Sequence, residues 1–203
     1  MSGRPDGDRR AARRSAAVEE ILAAAWELGR ERGLTGFSMR DLGQRVGMRA
    51  QSLYSYFASK HDLYDAMFAS ANRAFADWMR GGPGDAEGGD VVGALAATAR
   101  RFFAFCVEDP VRHQLLFQRT VPEFVPSPAS LAVAQEAYDV SVARLRSLGV
   151  DGADLDLVTA VMAGLAAQQL ANDPGGDRWE RLVDRATSML LREVVPAREG
   201  STE

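Results

Sequence analysis

The sequence is poor in the residues that carry redox, metal and membrane chemistry. It holds one cysteine, Cys106, and two histidines, His61 and His113, among 203 residues. A lone cysteine forms no internal disulfide and no cysteine-based metal site. Two histidines are too few for most metal centres, so no cofactor or metal is expected. No apolar run approaches the ~20 residues of a membrane span. The arginine-rich start, Met1 to Arg14, has no apolar stretch behind it, so no secretory signal is expected. The expected compartment is the cytoplasm. No nucleophile–base set, paired-carboxylate motif or phosphate loop stands out, which argues against an enzyme. Lysine is nearly missing as well: Lys60 is the only one, and the rest of the basic side is arginine.

What is present is ordinary for a folded protein. Hydrophobic residues make up 46% and charged residues 26%, which excludes wholesale disorder. The net charge of −4 hides an asymmetry. Residues 1–60 carry 11 Lys+Arg against 7 Asp+Glu, and residues 61–203 carry 13 against 21. A basic end on an acidic body is compatible with nucleic-acid binding by that end.

The patterning is helical throughout, with no alternating runs or hairpin turns that would mark a sheet. Val18, Ile21, Leu22, Ala25 and Leu28 recur at helical spacing and predict a first helix over about Arg9–Arg32, stopped at Gly33. Ser38 with Asp41 reads as a capping box opening a short helix that ends near Val46. A third short helix is predicted from Arg49 to Phe57. Ser59-Lys60-His61-Asp62 caps a long helix reaching Met79. A Gly-rich loop follows at Gly81 to Gly89. Further helices are predicted over Asp90–Glu108, from Pro110 to about Gln118–Thr120, from Ser127–Pro128 to Leu148, over Asp154–Asn172 and over Asp177–Val195. The tail after Pro196 is expected to be disordered. The expectation is an all-α chain of about nine helices. Residues 1–60, with a flexible amino-terminal tail, would form a three-helix helix-turn-helix domain. Residues 61–203 would form a helical regulatory and dimerisation domain.

Residues 38–57 carry the chemistry. Leu42 and Val46 give the first short helix an apolar face, Gly47 permits the turn, and Met48, Leu53 and Phe57 face the second helix inward. What remains outward is Arg49, Ala50, Gln51, Ser52, Tyr54, Ser55 and Tyr56. Small residues let a helix enter a major groove, Gln and Arg can pair with base edges, and hydroxyls can reach phosphates. Lys60 follows at a helix start, where a phosphate is favoured. From spacing alone, a DNA-reading helix-turn-helix and a plain three-helix subdomain with a solvated face both remain open.

The stretch Ile21-Leu22-Ala23-Ala24-Ala25, Glu31-Arg32-Gly33, Phe37-Ser38-Met39-Arg40-Asp41-Leu42, Val46-Gly47-Met48 and Ser52-Leu53-Tyr54-Ser55-Tyr56-Phe57-Ala58-Ser59-Lys60-His61-Asp62-Leu63 resembles the amino-terminal domain of TetR-family transcriptional regulators. The likeness covers about residues 15–68. It implies DNA contacts by Ser38, Arg40, Arg49, Ala50, Gln51, Ser52, Tyr54, Tyr56 and Lys60. Two positions depart from the pattern. Arg49 stands where serine or threonine would cap the helix. Gly43 stands where alanine is usual, at a cost of about 1 kcal/mol in helix propensity.

The resemblance also implies a homodimer on a two-fold symmetric, double-stranded DNA operator, joined through the last two helices. Leu155, Val158, Met162, Leu165 and Gln169 on the penultimate helix, with Leu182, Ala186, Met189 and Leu190 on the last, are the expected seam; packing within one chain is the alternative. A small-molecule effector pocket is implied in the body, with Phe102, Phe103, Phe105, Cys106, His113, Leu116, Phe117, Phe124, Tyr138, Met162 and Gln168 as candidates, although such stripes also make plain core. His113 could orient an anion or simply be buried. Cys106 could sense oxidants or be an inert core thiol. Arg9, Arg10, Arg13 and Arg14 could form a DNA-touching arm or a solvated tail. An activator or architectural protein without an effector, or an enzyme carrying an incidental helix-turn-helix, are the alternatives.

Overall fold

The computed structural model describes residues 5–81 and 90–194. Among them the chain is all-α. Nine helices run in order: α1 Pro5–Arg32, α2 Met39–Arg45, α3 Ala50–Leu53, α4 Lys60–Arg80, α5 Val91–Glu108, α6 Pro110–Phe117, α7 Pro128–Ser147, α8 Ala153–Asn172 and α9 Val183–Val194, with a 3-10 turn at Glu180–Leu182 before the last. No helix among the described residues is long and apolar enough to cross a membrane. The expected loop at Gly81 to Gly89 falls, beyond Gly81, outside the described residues, as does the tail after Pro196.

Three boundaries differ from expectation. α1 starts at Pro5, four residues ahead of the expected start near Arg9. α3 is only four residues long and is followed by turns through Tyr56. Its amino end has no side-chain cap, because Arg49 has no oxygen to offer the exposed N–H groups. Past Leu53 the backbone tightens: Ser55 N–H and Tyr56 N–H reach back only three residues, to the carbonyls of Ser52 and Leu53, and the Ser55 hydroxyl also takes the Ser52 carbonyl. The last helix begins at Val183, after the 3-10 turn.

The chain forms two compact units, Met1–Ala71 with Val111–Leu131, and Asn72–Pro110 with Ala132–Glu203. In the first, α1 packs on α2 and α2 on α3. Ile21, Ala25, Leu28, Leu42, Leu53 and Phe57 are buried there, while Val18, Leu22, Val46 and Met48 are half-buried. The segment after α6 is fastened to α4 by Phe124, whose ring meets Tyr64 and Phe68 edge-on. Ser127 adds its N–H and hydroxyl to the Asp65 carboxylate, and the Ser130 hydroxyl joins them. Burial works to raise the Asp65 pKa, but these bonds outweigh it and hold the carboxyl below its usual range.

In the second unit, α5 packs against both α8 and α9. The core gathers Leu95, Phe103, Cys106, Val142, Val150, Leu155, Val158, Met162, Val183 and Leu190, with Phe102, Leu165 and Ala186 against it.

Candidate nucleic-acid interface

α2 is capped on both counts, as the sequence pattern requires. Ser38 Oγ accepts the Asp41 N–H at 3.2 Å, and the Asp41 carboxylate accepts the Ser38 N–H at 2.8 Å. The Ser38 hydroxyl also donates to that carboxylate. These bonds hold the Asp41 carboxyl below the usual carboxylate range, helped by Arg32 at 3.3 Å. Ser38 is therefore a helix cap whose hydroxyl is already engaged within the chain. Arg45 is tied to Glu31 and Glu27 on α1, at 2.6 and 3.3 Å, which fixes the carboxyl end of α2.

The turn into α3 depends on two glycines. Gly47 sits at φ +67°, a backbone conformation that side chains disfavour. Close packing explains why Gly43 departs from the usual alanine. A Cβ there would lie 2.7 Å from the Met48 carbonyl oxygen, and the Met48 N–H already bonds the Gly43 carbonyl at 2.8 Å. In Gly43→Ala, about 1 kcal/mol of helix propensity is gained, but relieving a backbone clash costs about 1–3 kcal/mol. We expect a net loss of about 1 kcal/mol in denaturant unfolding, with weaker DNA binding in titration as α3 is pushed off α2. A more stable variant with unchanged DNA affinity would show that this close approach is not needed.

Leu53 is fully buried, and the residues around it turn outward. Arg40, Arg49, Gln51, Ser52 and Tyr54 are exposed, and Ala50 and Tyr56 are half-buried. Tyr54 is 47% exposed, with a hydroxyl that no described residue engages. Tyr56 lies under the Arg14 guanidinium, 4.9 Å from the ring centre. The exposed set thus holds two arginines, an amide and two hydroxyls without side-chain partners among the described residues.

Lys60 is placed differently from a bare phosphate ligand. Its ammonium donates to the Phe37 carbonyl and, at 3.5 Å, to the Thr35 carbonyl. It also lies over the rings of Phe37 and Tyr64, at 4.4 and 5.2 Å. Desolvation lowers its pKa, partly offset by Asp41. One turn on, the Tyr64 hydroxyl donates to the Leu34 carbonyl, and burial pushes that phenol up to about 12. The sequence motif announces a lysine at a helix start and gives no sign of this clamp, because its acceptors are backbone carbonyls.

The pocket candidates are divided between the two units. Phe105 and Phe102 meet Phe75 at 4.9 and 6.0 Å, with Trp78 6.3 Å from Phe105. Phe103, Cys106 and Met162 are core, and Cys106 is fully buried. Tyr138 and Gln168 are exposed, and Gln168 accepts from Asn172. His113 and Phe117 belong to the first unit, with rings 5.4 Å apart, as do half-buried Leu116 and Phe124. Desolvation lowers the His113 pKa, which favours the neutral form of the buried ring. A surface hollow of about 230 Å³, lined by Arg73, Ala76, Asp77, Arg80, Val133 and Glu136, includes none of the candidates. Among the described residues no group of acids, histidines and cysteine could hold a metal.

The expected dimer seam is mostly turned inward. Leu155, Val158, Met162 and Leu190 lie in the second unit's own core, Leu165 and Ala186 pack on it, and Leu182 is half-buried; only Met189 is exposed. Gln169 is buried as well. The outward stripe of α8 is Leu157, Ala160, Gly164, Gln168 and Ala171. Gly164 has open space where a Cβ would be.

Residues 21–67 match the family model for bacterial regulatory proteins of the tetR family. Across 94% of this chain and 75% of the other, the sequence is 28% identical to the HTH-type transcriptional repressor Rv1353c of Mycobacterium tuberculosis. The fold is similar to that of the fatty acid degradation regulator FadR from Bacillus halodurans, with a TM-score of 0.63 at 16% identity over 98% of this chain and all of that one. It is also similar to a TetR variant from Acinetobacter baumannii AYE in complex with minocycline, with a TM-score of 0.58 at 20% identity over 89% and 97% of the two chains.

Proposed function

Because the chain belongs to the TetR family of bacterial regulatory proteins, we propose that it is a homodimeric repressor released from a two-fold symmetric operator by a small-molecule effector. The observation that carries the DNA-binding part is the unused polar surface over Arg49–Tyr54, on a capped and glycine-fitted helix-turn-helix. Arg49 and Gln51 would read base edges in the major groove, while Arg40, Ser52 and Tyr54 would hold phosphates. A dimer follows from the way helix-turn-helix proteins read paired half-sites about 34 Å apart. The exposed stripe of α8 with Met189 of α9 offers the surface, and the open space over Gly164 lets a second helix come close.

Repression and ligand binding are supported by similar proteins: one relative is named a repressor, and one fold neighbour is a variant in complex with minocycline. The effector of this chain would be largely apolar and would contact the aromatic cluster of Phe75, Trp78, Phe102 and Phe105. α4 is one continuous helix from Lys60 to Arg80, so an effector that favours another setting of Phe75 and Trp78 would shift the population of DNA-competent states.

The test is unbiased DNA selection on the purified protein at fixed salt, because phosphate contacts make affinity steeply salt-dependent. A palindromic motif is expected, and it then supports a screen for compounds that release the protein. Recovery of no motif would overturn the reading. Gln51→Ala should relax preference at one base pair of each half-site by about 1–3 kcal/mol. An unchanged motif would remove Gln51 from base readout.

A further inference from the structure

We infer that the amino-terminal turns of α1 form a second DNA-contacting element, in which Arg10 and Arg13 hold backbone phosphates flanking the bases read by α3. The inference rests on the DNA-binding reading above. Positions four and seven apart share a helix face. From Ile21 to Leu28 that face of α1 is apolar and buried, through Ile21, Ala25 and Leu28. Followed toward the amino end it carries half-buried Val18, then Arg14, then Arg10. The face that seals the core therefore becomes arginine where the core ends.

Arg14 shows what that face meets. Its guanidinium donates to the Ser55 carbonyl at 3.1 Å and lies over the Tyr56 ring. The first turns of α1 are thus docked beside the carboxyl end of the recognition segment. One turn further out, about 6 Å along the axis, Arg10 continues the same face and Arg13 flanks it. Both are exposed, and neither has a hydrogen-bond or ion-pair partner among the described residues. Residues 9–18 contain four arginines and no acid. A polyanionic backbone is the partner that matches such a patch, and the forked guanidinium donors suit phosphate oxygens. Phosphate binding of this kind carries no sequence information of its own.

The test compares the full-length chain with an Arg10→Gln, Arg13→Gln double variant. Glutamine preserves helix propensity, and both side chains are exposed. Affinity is measured against salt on the selected operator, with long flanks and trimmed close to the bases read. On the long duplex we expect binding about tenfold weaker at ~0.15 M salt and a log–log salt slope shallower by about 0.9 for each phosphate no longer neutralised. The selected motif should not change. On the trimmed duplex the two proteins should converge, and an Arg10→Lys, Arg13→Lys variant should retain the steep slope. An unchanged slope on the long duplex, with the parent protein still selecting its motif, overturns this inference alone. A parent protein that selects no DNA overturns it together with the functional reading.

Discussion

Gln169→Leu should lower the stability of the chain by about 3 kcal/mol, although leucine fills nearly the same volume, because each buried group stripped of its partner costs about 1–3 kcal/mol. Gln169 is 2% exposed, on the last turns of α8. Its amide donates to the carbonyls of Asp173 and, at 3.1 Å, Gly176. Its carbonyl accepts the N–H groups of Trp179 at 2.9 Å and Glu180 at 3.4 Å. One side chain thus engages four backbone groups of the turn from α8 to the 3-10 helix before α9. Leucine would strand at least two of these groups. The same turn sets α9 against α8, so a dimer built on their outer faces should weaken too. Denaturant unfolding at fixed protomer concentration, with sedimentation of the same samples, checks both effects; concentration must be held because association adds to apparent stability. A loss below about 1 kcal/mol would mean that water replaces the amide at little cost.

Gln169 also shows what a sequence makes legible. Its place on the buried side of α8 follows from spacing with Leu155, Val158 and Met162, but the carbonyls and N–H groups it serves are backbone, which no residue pattern announces. The same limit explains why most residues of the expected seam lie in the chain's own core. α8 is apolar on nearly all sides, with Leu155, Val158 and Met162 on one stripe and Leu157, Ala160 and Gly164 on another. Periodicity finds the helix and cannot say which stripe the chain keeps for itself. In α1 and α2 the apolar stripe is narrow, and Ile21, Leu28 and Leu42 fall inside as their spacing requires. The outward set on α3 was legible for the same reason, since Leu53 alone occupies its inner face. Helix length was not: a four-residue α3 follows from the missing cap at Arg49 and the back-bonding Ser55, which are local contests between side chain and backbone.

Lys60→Met should weaken DNA binding by a route that salt can identify. Methionine keeps the unbranched stem and loses the three donors. If the ammonium chiefly held a phosphate, the salt slope would become shallower by about 0.9 per protomer, and stability would barely change. The structure assigns the ammonium to the Phe37 and Thr35 carbonyls and to two ring faces. Together with the Tyr64 bond to Leu34, it fastens the α1–α2 connection to the first turn of α4. Hydrogen bonds from a charged donor contribute about 1.5–3 kcal/mol, and partial exposure reduces this to about 1–2 kcal/mol. We therefore expect that loss of stability, weaker binding to every sequence alike, and a slope within error of the parent. Lys60→Arg separates the roles further. Arginine keeps the positive charge for a phosphate, but its planar fork does not reproduce a compact ammonium seated between two carbonyls and two rings. It should behave like methionine if Lys60 is a clamp and like the parent if Lys60 is a phosphate ligand. A clamp at this position gives the chain's only lysine a mechanical role, since the helix that continues to Phe75 and Trp78 grips the loop that leads directly into α2. On the proposed effector mechanism, a ligand that moved α4 would act on the helix-turn-helix through Lys60 and Tyr64, and Lys60→Met should then blunt the release it causes.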